Sequence, residues 1–277
     1  MTSLQPVMIM VAPNGARGMK RDNAALPISP QEIADDVVRC AAAGASIAHL
    51  HARNPDGSPT QSIEVFREIV DRIRQRCDIV LQISLGTIGF TVEQAIEPVA
   101  LKPEMVSLPL DAFRGGDAAA QEGVRKMALH IRAHRVRPEL SVYDDNMLNG
   151  ALGLIRDGAI EQPACFGLIM RDPPSMKDGT TRMIALADAL PSGALWWVAR
   201  GGKHGLGLRA LAVELGGHIR VGFEDSVLDF DQARPAPSNA YLVERIASLC
   251  AALGRQVATS AQARAAVEVG AAAASTA

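Results

Sequence analysis

The chain has 277 residues, with 28 lysines and arginines against 30 aspartates and glutamates and a formal net charge of −2. A hydrophobic fraction of 48% with 21% charged residues suits a packed protein and excludes a disordered chain. Near-neutral charge gives no electrostatic footprint for nucleic acid or an anionic membrane, and 4% aromatics leave few platforms for stacking bases.

Cys40, Cys77, Cys165 and Cys250 are far apart with no Cys-x-x-Cys pair, which predicts reduced thiols in a cytoplasmic protein. No basic-then-apolar leader opens the sequence, and no run of about 20 apolar residues is available to span a bilayer.

Short runs rich in Val, Ile and Leu predict strands at Val7–Ala12, Ser46–His51, Ile79–Ser84, Met105–Leu108, Leu140–Tyr143, Phe166–Ile169, Leu195–Val198 and Ile219–Phe223. Helical patterns fall between and after them, near Pro30–Ala43, Gln61–Arg76, Val92–Leu101, Asp117–Arg135, Met147–Arg156, Thr180–Leu190, Leu206–Glu214 and Asn239–Leu253. The first is well marked: Ser29 caps it, Pro30 suits its first turn and Gly44 ends it. Eight strand-plus-helix units in about 250 residues predict an α/β fold of the closed (β/α)8, or TIM-barrel, type. One domain over 1–277 is expected, with a short helical tail from about 255 and a frayed end at Gly270–Ala277. An open doubly wound sheet lacks its main cue, because no Gly-x-Gly-x-x-Gly follows the first strand.

A barrel places its chemistry at the C-terminal ends of its strands. The second predicted strand ends His49-Leu50-His51, and residues two apart on a strand share a face, so both imidazoles enter the mouth together. Such a pair is either part of a site for zinc or a similar divalent metal, or two hydrogen-bonded histidines. The eighth strand runs Arg220-Val221-Gly222-Phe223-Glu224-Asp225. Adjacent carboxylates closing an apolar strand are expensive unless they face the mouth or bind something. One of them is a candidate third ligand and the other a proton carrier; the alternative is an N-cap cluster for a helix at Val227. Alternation places Arg220 deeper on the same face as Glu224.

These residues resemble the β-keto acid cleavage enzymes, whose founding activity cleaves 3-keto-5-aminohexanoate. Besides His49-Leu50-His51 with Asn54-Pro55-Asp56-Gly57-Ser58-Pro59, the resemblance takes in Leu26-Pro27-Ile28-Ser29-Pro30, Gln82-Ile83-Ser84, Lys102-Pro103-Glu104-Met105, the segment Gly216–Asp225, and Ser238-Asn239-Ala240. It implies a TIM barrel with zinc on His49, His51 and Glu224. It implies an exchange in which a β-keto acid and acetyl-CoA become acetoacetate and a new acyl-CoA. Arg220 and Asp225 match the family's catalytic arginine and aspartate, Ser84 its active-site serine, and Ser107 stands where the founding member has threonine. A homo-oligomer, commonly a tetramer, is implied as well.

The departures cluster at strand ends. Arg17 occupies the position of a glutamate that faces the founding substrate's amino group, and Asp111 replaces a glycine. Leu85-Gly86-Thr87 follows Ser84 in place of Thr-Gly-Gly. Ser141 replaces a glutamate, with Asp144-Asp145 close behind. Arg171-Asp172-Pro173-Pro174-Ser175 replaces a Gly-Val-Pro-Gly-Gly loop, and Arg200-Gly201-Gly202-Lys203 replaces Gly-Ile-Gly-Arg. The proposed ligands are spared while their surroundings change, a pattern that fits retained metal chemistry on a new substrate. Arg17, Arg171, Asp111 and Asp144 are therefore the candidate substrate-binding residues. The cations favour an anionic β-keto acid unless the nearby aspartates neutralise them. Two other readings stand beside the acetyl-CoA exchange: a zinc hydrolase or lyase without CoA, and a degenerate barrel that binds metal and a small acid.

Overall fold

The computed structural model describes residues 5–86 and 89–268, so Thr87 and the expected frayed stretch Gly270–Ala277 lie outside the described residues. In chain order the elements are β1 (Ile9–Val11), α1 (Pro30–Ala42), β2 (Ile47–Leu50), β3 (Ala52–Arg53), β4 (Pro59–Thr60), α2 (Ile63–Arg74), β5 (Val80–Ser84), α3 (Val92–Ile96), β6 (Met105–Pro109) and α4 (Ala112–Gly115). There follow α5 (Ala118–Ala133), β7 (Arg137–Val142), α6 (Asp145–Arg156), β8 (Cys165–Met170), α7 (Met176–Asp188), β9 (Leu195–Arg200), α8 (Gly205–Glu214), β10 (His218–Val221), α9 (Asn239–Ala252) and α10 (Ser260–Val267). Eight parallel strands close in the order β1-β10-β9-β8-β7-β6-β5-β2, while β3 and β4 form a small antiparallel pair beyond the end of β2. Closure is made by β1, which pairs with β10 on one side and β2 on the other. Each of the eight predicted strands matches a barrel strand. Among the described residues, no helix is long and apolar enough to cross a membrane.

Local signals place the helices. Ser29 and Glu32 form a reciprocal capping box on α1, with Pro30 in its first turn. The single helix expected over Val92–Leu101 divides into α3 and a 3-10 turn at Glu97–Leu101, because Pro98 has no N–H to continue the α ladder. The strand expected to begin at Leu140 begins at Arg137 instead, since Arg137, Pro138 and Glu139 belong to the wall despite breaking the apolar run. No helix forms at Val227; residues 222–238 are a long connection of turns, which removes the N-cap explanation for Glu224 and Asp225.

Inward-facing positions change character along the barrel axis. At the N-terminal end, Met8, Met10, Ile47, Val80, Met105, Cys165 and Trp197 form an apolar plug, closed from below by Ala263 and Val267 of α10. Arg137 fastens that tail by donating to the carbonyls of Val267 (3.0 Å) and Glu268 (2.6 Å). Two residues beyond Ile47, Val80 and Met105 on the same strand faces stand His49, Gln82 and Ser107, and Glu139 and Arg220 join them from β7 and β10, all buried. The barrel is thus sealed below and polar above, and the polar layer leads to the mouth.

Candidate active site

His49 is the penultimate residue of β2, inside the barrel, and His51 follows just beyond the strand. Their Nε2 atoms are 3.1 Å apart. Glu224 arrives from the opposite side of the closure. β10 stops at Val221, and Gly222 adopts φ +144 with its α-carbon against the Ala12 carbonyl, where no Cβ fits. The chain then turns back on itself, with the N–H groups of Asp225 and Ser226 bonded to the Gly222 carbonyl and that of Glu224 to Ala12. This turn brings Glu224 Oε2 to 3.2 Å from His49 Nε2 and 3.4 Å from His51 Nε2.

That buried oxygen has only the two imidazole nitrogens within reach and no well-aligned hydrogen-bond donor among the described residues. Burial alone would raise the pKa of Glu224; Arg220 and the two histidines outweigh it and hold the carboxyl well below its usual range. Burial also pushes His51 toward its neutral form against the pull of Glu224. A carboxylate with an unpartnered oxygen and two imidazoles converging within 4.8 Å fit a divalent cation with an N, N, O donor set. Charge agrees: around the site the carboxylates of buried Glu139 and of partly buried Glu224 and Asp225 outnumber the buried guanidinium groups of Arg209 and Arg220.

Arg220 organises the acids. Its Nε and Nη2 grip the two oxygens of Asp225 at 3.1 and 2.8 Å, while Nη2 also donates to Glu224 Oε1 at 2.7 Å. The two carboxylates hold its pKa well above the ordinary value against the opposing effect of burial. Arg209 supports the same corner through carbonyls, donating to Arg220 and Arg200; burial pulls its pKa down to about 10. Ser84 and Ser107 face each other across β5 and β6 with oxygens 3.5 Å apart, both buried.

The proposed substrate-binding residues do not all meet there. Arg17 is exposed on the loop after β1, with no carboxylate at ion-pair distance among the described residues. Arg171 is exposed and lies over the ring of Tyr143, 5.4 Å from its centre. Asp111 and Asp144 turn instead to Arg114, at 3.5 and 2.9 Å, and Asp144 caps α6. Asp145 pairs with Arg182. The aspartates thus leave Arg17 and Arg171 unneutralised.

Other contributors were not singled out from the sequence. Gln82 and Glu139 lie in the polar layer beneath the histidines, joined by a 2.7 Å hydrogen bond. Tyr143 faces the mouth, and burial raises its pKa. Asn14 donates to the His51 carbonyl. Asn239 joins the loops after β1 and β10, donating to Pro13 and accepting from Phe223 N–H. Arg53 staples the first two loops through the carbonyls of Gly15, Gly18 and Gly57. The signal for Gln82 and Glu139 was present in the strand period, two residues before Ser84 and Ser141.

Fold and mouth together define a (β/α)8-barrel enzyme carrying a cluster able to hold a metal. The β-keto acid cleavage enzyme family model matches residues 6–269. The 3-keto-5-aminohexanoate cleavage enzyme of Fusobacterium nucleatum is 35% identical over 267 residues, which cover 94% of this chain and 97% of that protein. The 3-oxoadipate:acetyl-CoA acetyltransferase of Cupriavidus necator is 32% identical over 268 residues, 94% of each chain. The solved apo structure of ObcA superposes with a TM-score of 0.64 at 19% identity; the match covers 87% of this chain and spans 64% of ObcA, and it supports the fold alone. The chain belongs to the β-keto acid cleavage enzyme family.

Proposed function

We propose that this enzyme cleaves an anionic β-keto acid by exchange with acetyl-CoA at a zinc ion held by His49, His51 and Glu224. The observation that carries the reading is the convergence of the two Nε2 atoms on the unpartnered Oε2 of Glu224. Zinc or a similar divalent ion, when bound, supplies Lewis-acid polarisation of the keto and carboxylate oxygens.

In the overall exchange R–CO–CH2–COO⁻ and acetyl-CoA give acetoacetate and R–CO–S-CoA, so the CH2–COO⁻ unit passes from one acyl group to the other. The carbon between the two carbonyl groups carries the acidic hydrogen, and Asp225 is the group assigned to that proton. Arg220 fixes its orientation through both oxygens. Ser84 and Ser107 present hydroxyls from neighbouring strands to the oxyanion that develops on C–C cleavage. Arg17 and Arg171 attract a second anionic group on the substrate, supported by the absence of aspartate partners. Asp111 and Asp144 shape the rim with their charge absorbed by Arg114. The acetyl-CoA transferase among the relatives supports CoA as co-substrate. The family resemblance supports a homotetrameric assembly, the widely spaced thiols support cytoplasmic residence, and the eight strand-plus-helix units support one barrel domain.

Metal-loaded protein incubated with 3-oxoadipate should yield acetoacetate and a new acyl-CoA by mass spectrometry only when acetyl-CoA is present. Cleavage without acetyl-CoA would replace this reading with a hydrolase on the same barrel. No cleavage under either condition would leave a binding protein.

A further inference from the structure

Beneath the metal-site cluster a chain of contacts runs from His49 into the buried polar layer. His49 Nδ1 lies 2.6 Å from Gln82 Oε1, and Gln82 Nε2 lies 2.7 Å from Glu139 Oε2. All three residues are almost wholly buried, so water does not compete for these contacts. Each link has a polarity. The Gln82 amide donates its NH2 end to Glu139 Oε2. The amide oxygen therefore faces His49, and the imidazole nitrogen opposite it must be the one bearing hydrogen. With hydrogen on Nδ1, the other ring nitrogen, Nε2, 3.1 Å from His51 Nε2 and 3.2 Å from Glu224 Oε2, is the one that can offer its lone pair to a cation.

We propose that Glu139, acting through the Gln82 amide, is a positioning residue that selects the ring nitrogen His49 presents to the metal. The polarity of the Gln82 amide follows from its contact with Glu139; that His49 keeps Nε2 free although the Glu224 carboxylate lies 3.2 Å away rests on the metal reading above. Neighbouring residues are arranged around this acid. Gly167 on β8 stands where any Cβ would collide with Glu139 Oε1, so the adjoining strand is stripped of a side chain to admit the carboxylate. Oε1 itself has no partner among the described residues. A buried acceptor left half-satisfied is destabilising, as is expected where a group is retained for what it orients rather than for stability. Outer partners that orient a metal-ligating histidine commonly change metal affinity by about 10–100-fold.

The test uses the full chain in metal-free and zinc-titrated forms. Long-range 15N–1H correlation spectra of the imidazoles, assigned with His49→Phe, should show His49 as the Nδ1–H tautomer in the metal-free wild type. Glu139→Met removes the acceptor and should give the Nε2–H form or a mixture, with zinc bound about 10–100-fold more weakly in competition with a chromogenic chelator. Glu139→Gln, whose oxygen still accepts from Gln82, should lose much less affinity. If Glu139→Met does not fold, Gln82→Met interrupts the same chain and carries the same expectations. A wild type in the Nε2–H form overturns the proposal outright. So do folded variants that keep the Nδ1–H tautomer, or that change tautomer with zinc affinity intact. A wild type with the Nδ1–H tautomer but no affinity for any divalent ion would instead overturn the metal reading, while leaving the polarity of the chain in place.

Discussion

Arg220 binds one oxygen of Glu224 at 2.7 Å and leaves the other facing the imidazoles, so a single carboxylate serves two partners of opposite kinds. The arginine fixes the acid's orientation and ionisation, and the free oxygen completes the donor set. Protein purified without chelator is expected to carry about one divalent ion per chain by elemental analysis. His51→Ala and Glu224→Gln should each abolish that stoichiometry, since losing a ligand exceeds the roughly 10–100-fold effect of losing an outer partner. His51→Ala should remain folded by circular dichroism, because His51 lies past the end of β2 rather than in the wall. Wild-type protein that neither carries nor takes up a metal would sink the assignment.

Asp225 presents a different expectation although it adjoins Glu224. Both its oxygens are engaged by Arg220, and its nearest cation beyond that pair is Arg200 at 3.9 Å. Asp225→Asn should therefore keep its metal and lose about a hundredfold or more in turnover, the usual scale for a general acid–base group. The decisive comparison is metal content beside kcat for Asp225→Asn and Glu224→Gln. If Asp225→Asn loses metal and Glu224→Gln keeps it, the two roles are reversed.

The barrel was legible because strands covered on both faces read as uninterrupted apolar runs, and each of the eight was found that way. The same rule hid part of the site. Glu139 points into the barrel, where a polar residue looks like a break in the pattern, so the apolar run gives this strand a start at Leu140 instead of Arg137. Spacing gives His49 and His51 as candidate ligands and leaves Glu224 as one of two adjacent carboxylates; the backward turn at Gly222 brings Glu224, rather than Asp225, to the imidazoles. Whether the aspartates would neutralise the mouth was not readable either. It is settled by Arg114, an unremarked residue that takes up both Asp111 and Asp144.

Arg17 follows from that capture. With Asp111 and Asp144 engaged elsewhere, its guanidinium is free to meet a carboxylate on the substrate in two parallel hydrogen bonds. The wild-type enzyme should prefer 3-oxoadipate to 3-keto-5-aminohexanoate in kcat/KM. Arg17→Glu should shift the ratio by about tenfold or more toward the cationic substrate, the scale of a charge-assisted pair. Metal content should stay unchanged. A wild-type preference for the cationic substrate would remove Arg17 from the specificity-determining set.

His218 makes folding stability depend on pH at the opposite end of the barrel. Its Nδ1 accepts the Met8 N–H at 3.2 Å, and its ring packs near Trp197 with centroids 5.5 Å apart. Burial, assisted by the nearby charge of Arg255, pushes its pKa from 6.5 down to about 4. Protonation would also destroy the lone pair that receives Met8. Between these two values the unfolded chain takes up a proton that the folded chain refuses, so the histidine's contribution is complete above about pH 6.5 and diminishes as pH falls. The full difference is about 3 kcal/mol, exhausted by about pH 4, where both states are charged. Urea unfolding of chelator-treated protein should show a loss of about 2 kcal/mol from this group between pH 7 and pH 5. His218→Gln keeps an acceptor for Met8 without a titrating group, so its stability should fall less over the same interval. Parallel pH dependences for wild type and His218→Gln would show that His218 does not set this response.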